Sequence, residues 1–269
     1  RSLHPNGWPA HLSAMIRALA AALLLSACAS TPAPEPPIGR LLHYVRSNQD
    51  GSMAETIYVY RADATRIEVG KMVDPCTNAA FVTAELDLAR GQAMQLVGGR
   101  IARDGSQEAF AWLDYDPATR QVHARVPPAG IDTSFAAGGE PWIMYDFDLA
   151  DVNALMGDGP PPREDFSFAT HIIWMAEGES NPFRAMGQTH ARFAETETHL
   201  GRSAMRFEVS GALNGQLWLD ARQGHILEAR FAEPNHVGYD DFRLVLQNVH
   251  ENGASAWAQA RAAHWRGCP

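Results

Sequence analysis

Lysine is nearly missing from this 269-residue chain: Lys71 is the single lysine among 22 basic residues. Acids outnumber bases, 31 to 22, for a formal charge of −9. A net acidic surface of this kind excludes a nucleic-acid binder and a polybasic membrane patch. Cysteine is scarce too, with three in the chain and no C-x-x-C pair, so neither a zinc ribbon nor a disulfide-dense scaffold fits. There is no G-x-S-x-G elbow, no H-E-x-x-H helix and no Walker loop, which removes the common hydrolase, metalloprotease and nucleotide-binding signatures. No metal site and no cofactor is expected. The longest apolar run, residues 18–25, is too short to span a bilayer.

That run has the length of a signal-peptide core and follows Arg17, a short positive region. Met15 reads as the true start. Residues 1–14, with Pro5, Trp8 and Pro9, read as upstream translation and residues 15–27 as the signal. Leu25-Ser26-Ala27-Cys28 resembles the lipobox of bacterial lipoproteins. The resemblance implies that Cys28 takes a diacylglyceryl group on sulfur and becomes an acylated N-terminus after cleavage. In that family an Asp after the cysteine favours inner-membrane retention. Ala29 stands there in this chain, which implies an outer-membrane anchor facing the periplasm. Residues 28–37 hold four prolines and form an extended tether. Arg1 and Arg17 precede Cys28 and no acid does, so the mature balance is 20 bases against 31 acids, or −11. With Cys28 lipidated, Cys76 and Cys268 remain, and two thiols in an exported protein are expected to pair.

Residues 38–269 read as one β-rich domain. Short alternating segments separated by turn signals predict a mainly β fold: an antiparallel curved sheet or half-barrel with a short middle helix and a C-terminal helix. Thr56-Ile57-Tyr58-Val59-Tyr60 and Arg66-Ile67-Glu68-Val69 alternate cleanly, and Val82, Ala84, Leu86 and Leu88 share one side of their strand. Two hairpins look alike, one from Trp112-Leu113-Asp114 through Pro117, the other from Trp218-Leu219-Asp220 through Gly224. Asp148 is the expected N-cap of a helix whose apolar face is Leu149, Val152, Leu155 and Met156. Asn252 is expected to cap the last helix, on which Trp257, Arg261 and Trp265 follow one another at four-residue steps.

The densest polar stretch is Glu233-Pro234-Asn235-His236-Val237-Gly238-Tyr239-Asp240-Asp241. His236, with Tyr239, Asp240 and Asp241 beside it, could serve as a general base oriented by a carboxylate, which defines a hydrolase alternative. No nucleophile accompanies it in the sequence. His190 and His199 bracket an acidic segment but lack a metal-ligand pattern. Seven Trp, six Tyr and eleven Phe are enough to line an apolar cavity, with Trp142, Trp174 and Trp218 the candidates on or beside strands. Leu217-Trp218-Leu219-Asp220, with Gly224 and Ile226-Leu227, resembles the sheet hairpins of the LolA/LolB-type half-barrel lipid-binding proteins. That resemblance implies a non-enzymatic envelope lipoprotein binding a lipophilic component on a concave sheet face. Phe242, Leu244 and Leu246 face one way and Val245 and Val249 the other, so both faces should be covered. The expectation is a concave apolar groove partly lidded by the Ala150–Met156 helix or the C-terminal helix. A structural partner in an envelope complex is the third reading.

Overall fold

A computed structural model describes residues 38–156, 163–174 and 181–269. The signal, the Cys28 lipobox and the tether lie outside the described residues. The domain is one open sheet of 15 strands, as the alternating pattern predicts. Its first half is β1 (Leu41–Ser47), β2 (Glu55–Arg61), β3 (Arg66–Met72), β4 (Ala80–Asp87), β5 (Gln92–Ile101), β6 (Gln107–Asp116), β7 (Gln121–Val126) and β8 (Ile131–Ala136). Its second half is β9 (Trp142–Met144), β10 (Phe166–Ile173), β11 (Phe183–His199), β12 (Arg202–Gly211), β13 (Gly215–Asp220), β14 (Ile226–Phe231) and β15 (Phe242–His250). Two helices accompany it, α1 (Ala150–Met156) and α2 (Gly253–His264).

The first strand lies in the middle of the sheet. β1 pairs with β2 on one side and β15 on the other, and the strands run outward to β8 and back from β9. All neighbours are antiparallel except β9, which lies parallel to β10. β8 and β10 do not form a ladder. Side chains join the two flanks instead: the Phe135 ring sits 5.1 Å from His171 and 5.3 Å from Phe183, and Gln188 Nε2 donates to Gly138 O at 3.1 Å.

Alternation decides which face each residue takes. Ile57, Val59, Ile67, Val69, Ala84, Leu86, Leu96, Leu113 and Val122 point inward in the first half, and Phe207, Leu217, Leu219, Ala229 and Leu244 in the second. Residues 137–156 run through this concavity rather than over it. Trp142, Tyr145, Phe147, Leu149 and Val152 are all at most 3% exposed. The helix expected to lid a groove therefore lies within it. α1 is fixed there by polar contacts. Asn153 Oδ1 accepts from Ile226 N at 2.9 Å, its Nδ2 donates to Tyr44 Oη at 2.8 Å, and Arg61 donates to Ala154 O at 2.8 Å.

The expectation for Asp148 needs correction. It does not cap α1. It has a left-handed backbone, φ 54°, and its carboxylate is taken by bases of the sheet. Asn252 precedes α2, but its side chain makes no capping bond. α2 covers the outer face of the first half rather than the concave groove it was expected to lid, with Trp257 buried against Leu41, Met72, Phe81 and Ile101. Burial of such a side chain is worth about 1.5–3 kcal/mol. The Cys76–Cys268 disulfide predicted from the leftover pair is present, with Cα atoms 5.5 Å apart, and ties the end of α2 to the β3–β4 loop.

Candidate functional site

The inner face turns polar where β1, β2 and β3 meet the internal segment. Arg46 on β1 and Glu55 and Lys71 on β2 and β3 point inward by the same alternation that buries Tyr44, Ile57 and Val69. Asp148 enters from the internal segment. Lys71 Nζ lies 2.8 Å from Asp148 Oδ2, and Arg46 Nη1 lies 3.2 Å from Oδ1. Arg46 also pairs with Glu55, and Lys71 donates to the carbonyl of Asp146. Asn235 Nδ2 donates to Asp148 Oδ1 at 2.7 Å. Burial alone would raise the Asp148 carboxyl, but Lys71 and Arg46 outweigh it and hold the group well below the usual carboxylate range. In two acids beside it burial wins, although Lys71 also acts on Asp146. Burial pushes Asp146 up to about 6 and Asp151 up to about 7. Asp151 instead accepts the N–H groups of Met144 at 3.1 Å and Val152 at 2.9 Å.

The polar loop divides. His236 and Tyr239 join this cluster. Burial, then Lys71 and Arg46, push His236 down to about 3, so the ring is neutral at pH 7, and its buried Nε2 makes no hydrogen bond. Tyr239 Oη accepts from Arg46 at 3.1 Å and donates to Met53 O at 2.9 Å, while the Arg46 guanidinium sits 4.7 Å from its ring centre. Asp240 and Asp241 turn away: their N–H groups donate to Asn48 Oδ1 at 3.0 and 3.5 Å, and Asp241 Oδ1 accepts from Gln49 N at 2.7 Å. They fasten the loop to the β1–β2 turn. No serine, threonine or cysteine is hydrogen-bonded to His236 among the described residues, so no activated nucleophile is assembled there.

Next to Lys71 a narrow apolar cleft of about 70 Å³ separates the inner face of β4–β6 from the internal segment. Val82, Leu96, Gly98, Ala111 and Leu113 form one wall and Met144, Phe147 and Ile173 the other, with Lys71 and Asp146 as its polar lining. A second cleft, between β1–β3 and the end of α1, is lined by Leu42, Val59 and Ile67 with Arg40, Arg61 and His225.

The three tryptophans do not share a cavity. Trp142 is enclosed between Tyr115 and His171, with ring centres 6.1 and 6.2 Å away. Trp174 is half-buried at the core edge under Arg184. Trp218 faces the opposite side of the sheet, stacked on His199 at 4.4 Å, with its Nε1 donating to Glu197 at 2.6 Å. His199 also contacts Glu228 at 2.7 Å, and His190 contacts the Ser167 hydroxyl at 2.8 Å.

In the sequence Lys71 stands out only as the single lysine, and Arg46, Asp146 and Asp151 do not stand out as site residues. One signal was available. Three acids, Asp146, Asp148 and Asp151, interrupt a largely apolar run from Trp142 to Met156. Such a run is buried, and its acids must then find partners. No family model and no curated protein matches this chain.

Proposed function

We propose that this protein is an outer-membrane lipoprotein, anchored through Cys28 and facing the periplasm, that binds a lipophilic envelope component. The observation that carries the binding reading is the cleft beside Lys71. It is narrow, apolar on two walls and open at its mouth. In this reading a single slender apolar chain lies against Leu96, Leu113 and Phe147, with its polar end toward Lys71 and Asp146. The His236 cluster supplies no nucleophile, so the role proposed is binding without catalysis.

Mass spectrometry of lipids that co-purify with the protein tests this. Ala111→Phe projects a ring into the cleft from β6. The variant should fold and lose the lipid retained by the native protein. Equal lipid content in both would refute the cleft as the binding site. The anchor has its own test. Cys28→Ser should abolish labelling by radioactive palmitate, and unchanged labelling would reject it. The filled concavity favours a second reading, a scaffold for an envelope complex. Absence of any bound lipid in the native protein would bring that reading forward.

A further inference from the structure

Among the described residues, Lys71 and Asp146 are the polar lining of the narrow cleft between β4–β6 and the internal segment. The two differ in how far their hydrogen bonds are already met. Lys71 Nζ lies 2.8 Å from Asp148 Oδ2 and also donates to the Asp146 carbonyl, and its side chain is 8% exposed. The Asp146 carboxylate forms no ion pair among the described residues. The one N–H that another residue gives it, from Ile173, stands at 3.4 Å, beyond the usual hydrogen-bond range. Asp146 is half-buried at the cleft, whereas Asp148 behind it is sealed off. The unmet capacity that faces the cleft is therefore that of an acceptor.

The surrounding charges decide what can meet that acceptor. β1 and β3 bring Arg46 and Lys71, β2 brings Glu55, and the internal segment brings Asp146 and Asp148. The β4–β6 wall brings no charge. His236, from the 232–241 loop, is neutral at pH 7, and Asp151 adds to the acids as it ionises near 7. Asp146, raised by burial to about 6, is ionised at pH 8. The acids then lead the bases even before Asp151 is counted. An anionic end would face the Asp146 carboxylate with no free base beside it. A cationic end would answer Asp146 but lie against the Lys71 ammonium, and either charge must shed its water to enter an apolar cleft. An uncharged hydroxyl or amide N–H satisfies the carboxylate and adds no charge.

We propose that the cleft selects an apolar chain that ends in an uncharged hydrogen-bond donor, and that Asp146 makes the selection by accepting that hydrogen bond. The inference rests on the cleft-binding reading and narrows its ligand. The class it names is a long-chain alcohol, an acylglycerol with a free hydroxyl or a fatty amide, rather than a free fatty acid.

The test uses the full chain carrying Cys28→Ser, so that no acyl group of its own competes, and four probes of one chain length at pH 8. These are 1-octanol, octanoate, octylammonium and 1-methoxyoctane, which keeps the chain and an oxygen but loses the donor. Methyl NMR signals of Leu96, Leu113 and Ile173 read occupancy of the cleft itself. Octanol should shift them saturably and bind at least about tenfold more tightly than either charged probe, the low end of the penalty for a charge left uncompensated out of water. The ether should bind several-fold more weakly than octanol. Asp146→Asn should narrow the gap between octanol and octanoate, because the amide keeps an acceptor and removes the repelling charge. The four-probe comparison needs no change at position 146, so it stands even if that variant does not fold. Octanoate, octylammonium or the ether binding as tightly as octanol overturns the selection and leaves the cleft as a site. Undiminished discrimination in a folded Asp146→Asn protein overturns the role of Asp146. If none of the four probes moves these signals, the cleft-binding reading and the inference fall together.

Discussion

Lys71 and Asp148 meet at 2.8 Å inside the curved sheet, with side chains 8% and 0% exposed. The single lysine of the chain thus holds the internal segment to β3. Both charges are desolvated, so the pair is tolerated only because Arg46 and Asn235 share the Asp148 carboxylate. Removing one partner strands the other. Lys71→Met and Asp148→Asn are each expected to cost about 3–5 kcal/mol in urea unfolding, and the double variant should lose clearly less than the sum. Asn accepts the left-handed backbone at position 148, so strain does not confuse the comparison. Additive losses would show that the two residues act independently.

Stability should depend on pH through opposing groups. Asp146 and Asp151 have folded values raised to about 6 and about 7. Their contribution is fully present below the unfolded carboxylate value near 4 and is lost as pH rises through 6 to 7. His236 and His225 are lowered to about 3 and about 4. Their contribution is present above the unfolded value near 6.5 and is lost as pH falls toward 4 and 3. Asp151→Asn imitates the protonated acid and removes one of the first pair. Wild type minus variant stability should be larger at pH 5 than at pH 8. A gap that stays constant across that interval would contradict the assignment.

Cys76 and Cys268 close nearly the whole domain across 192 positions. In the chain-entropy model such a loop contributes up to about 5 kcal/mol. Cys76→Ser with Cys268→Ser should lower the melting temperature. Hydrogen exchange should quicken first in α2, whose last turn is held by the bridge and by Cys76 N donating to His264 O at 3.0 Å. A thiol titration of the native protein, denatured without reductant, should find neither cysteine reactive. Faster exchange spread evenly over the sheet would mean that the bridge stabilises the domain without locally fastening α2.

The sheet was legible because its signal is local. Alternation at Ile57-Val59 and at Ile67-Val69, with Pro117 and Gly224 in the turns, is enough to predict strands and hairpins. The Cys76–Cys268 pairing followed from counting. What failed to show was long-range. Tyr145, Phe147, Leu149 and Val152 look like any apolar face, and nothing in their spacing says that they fill the sheet rather than cover it. Asp148 has the right residue type for a helix cap. Lys71 and Arg46, 77 and 102 positions upstream, claim it instead. Of the polar loop, His236 and Tyr239 reach the buried charge cluster. Asp240 and Asp241 look equally chemical in sequence and serve as fasteners to Asn48 and Gln49.

Gly70 and Trp257 offer a test of how α2 is seated. Gly70 lies on β3 under the indole of Trp257, and a Cβ built at position 70 would sit 2.4 Å from its Cζ-ring edge atom Cη2. That separation is well inside contact, and the ring is itself fixed, with Phe81 edge-on at 5.4 Å and Nε1 donating to Glu68 at 2.8 Å. Gly70→Ala must therefore push α2 outward and is expected to destabilise by about 1–3 kcal/mol, the usual cost of overpacking. The backbone at position 70 needs no left-handed conformation. Without the indole, alanine in a strand interior should be worth about 0.5–1 kcal/mol over glycine. The sign should accordingly reverse by background. In a Trp257→Leu protein, itself less stable through lost burial, Gly70→Ala is expected to be neutral or stabilising in the same urea titration. If it destabilises both backgrounds equally, the close approach of Trp257 is not what requires glycine at position 70.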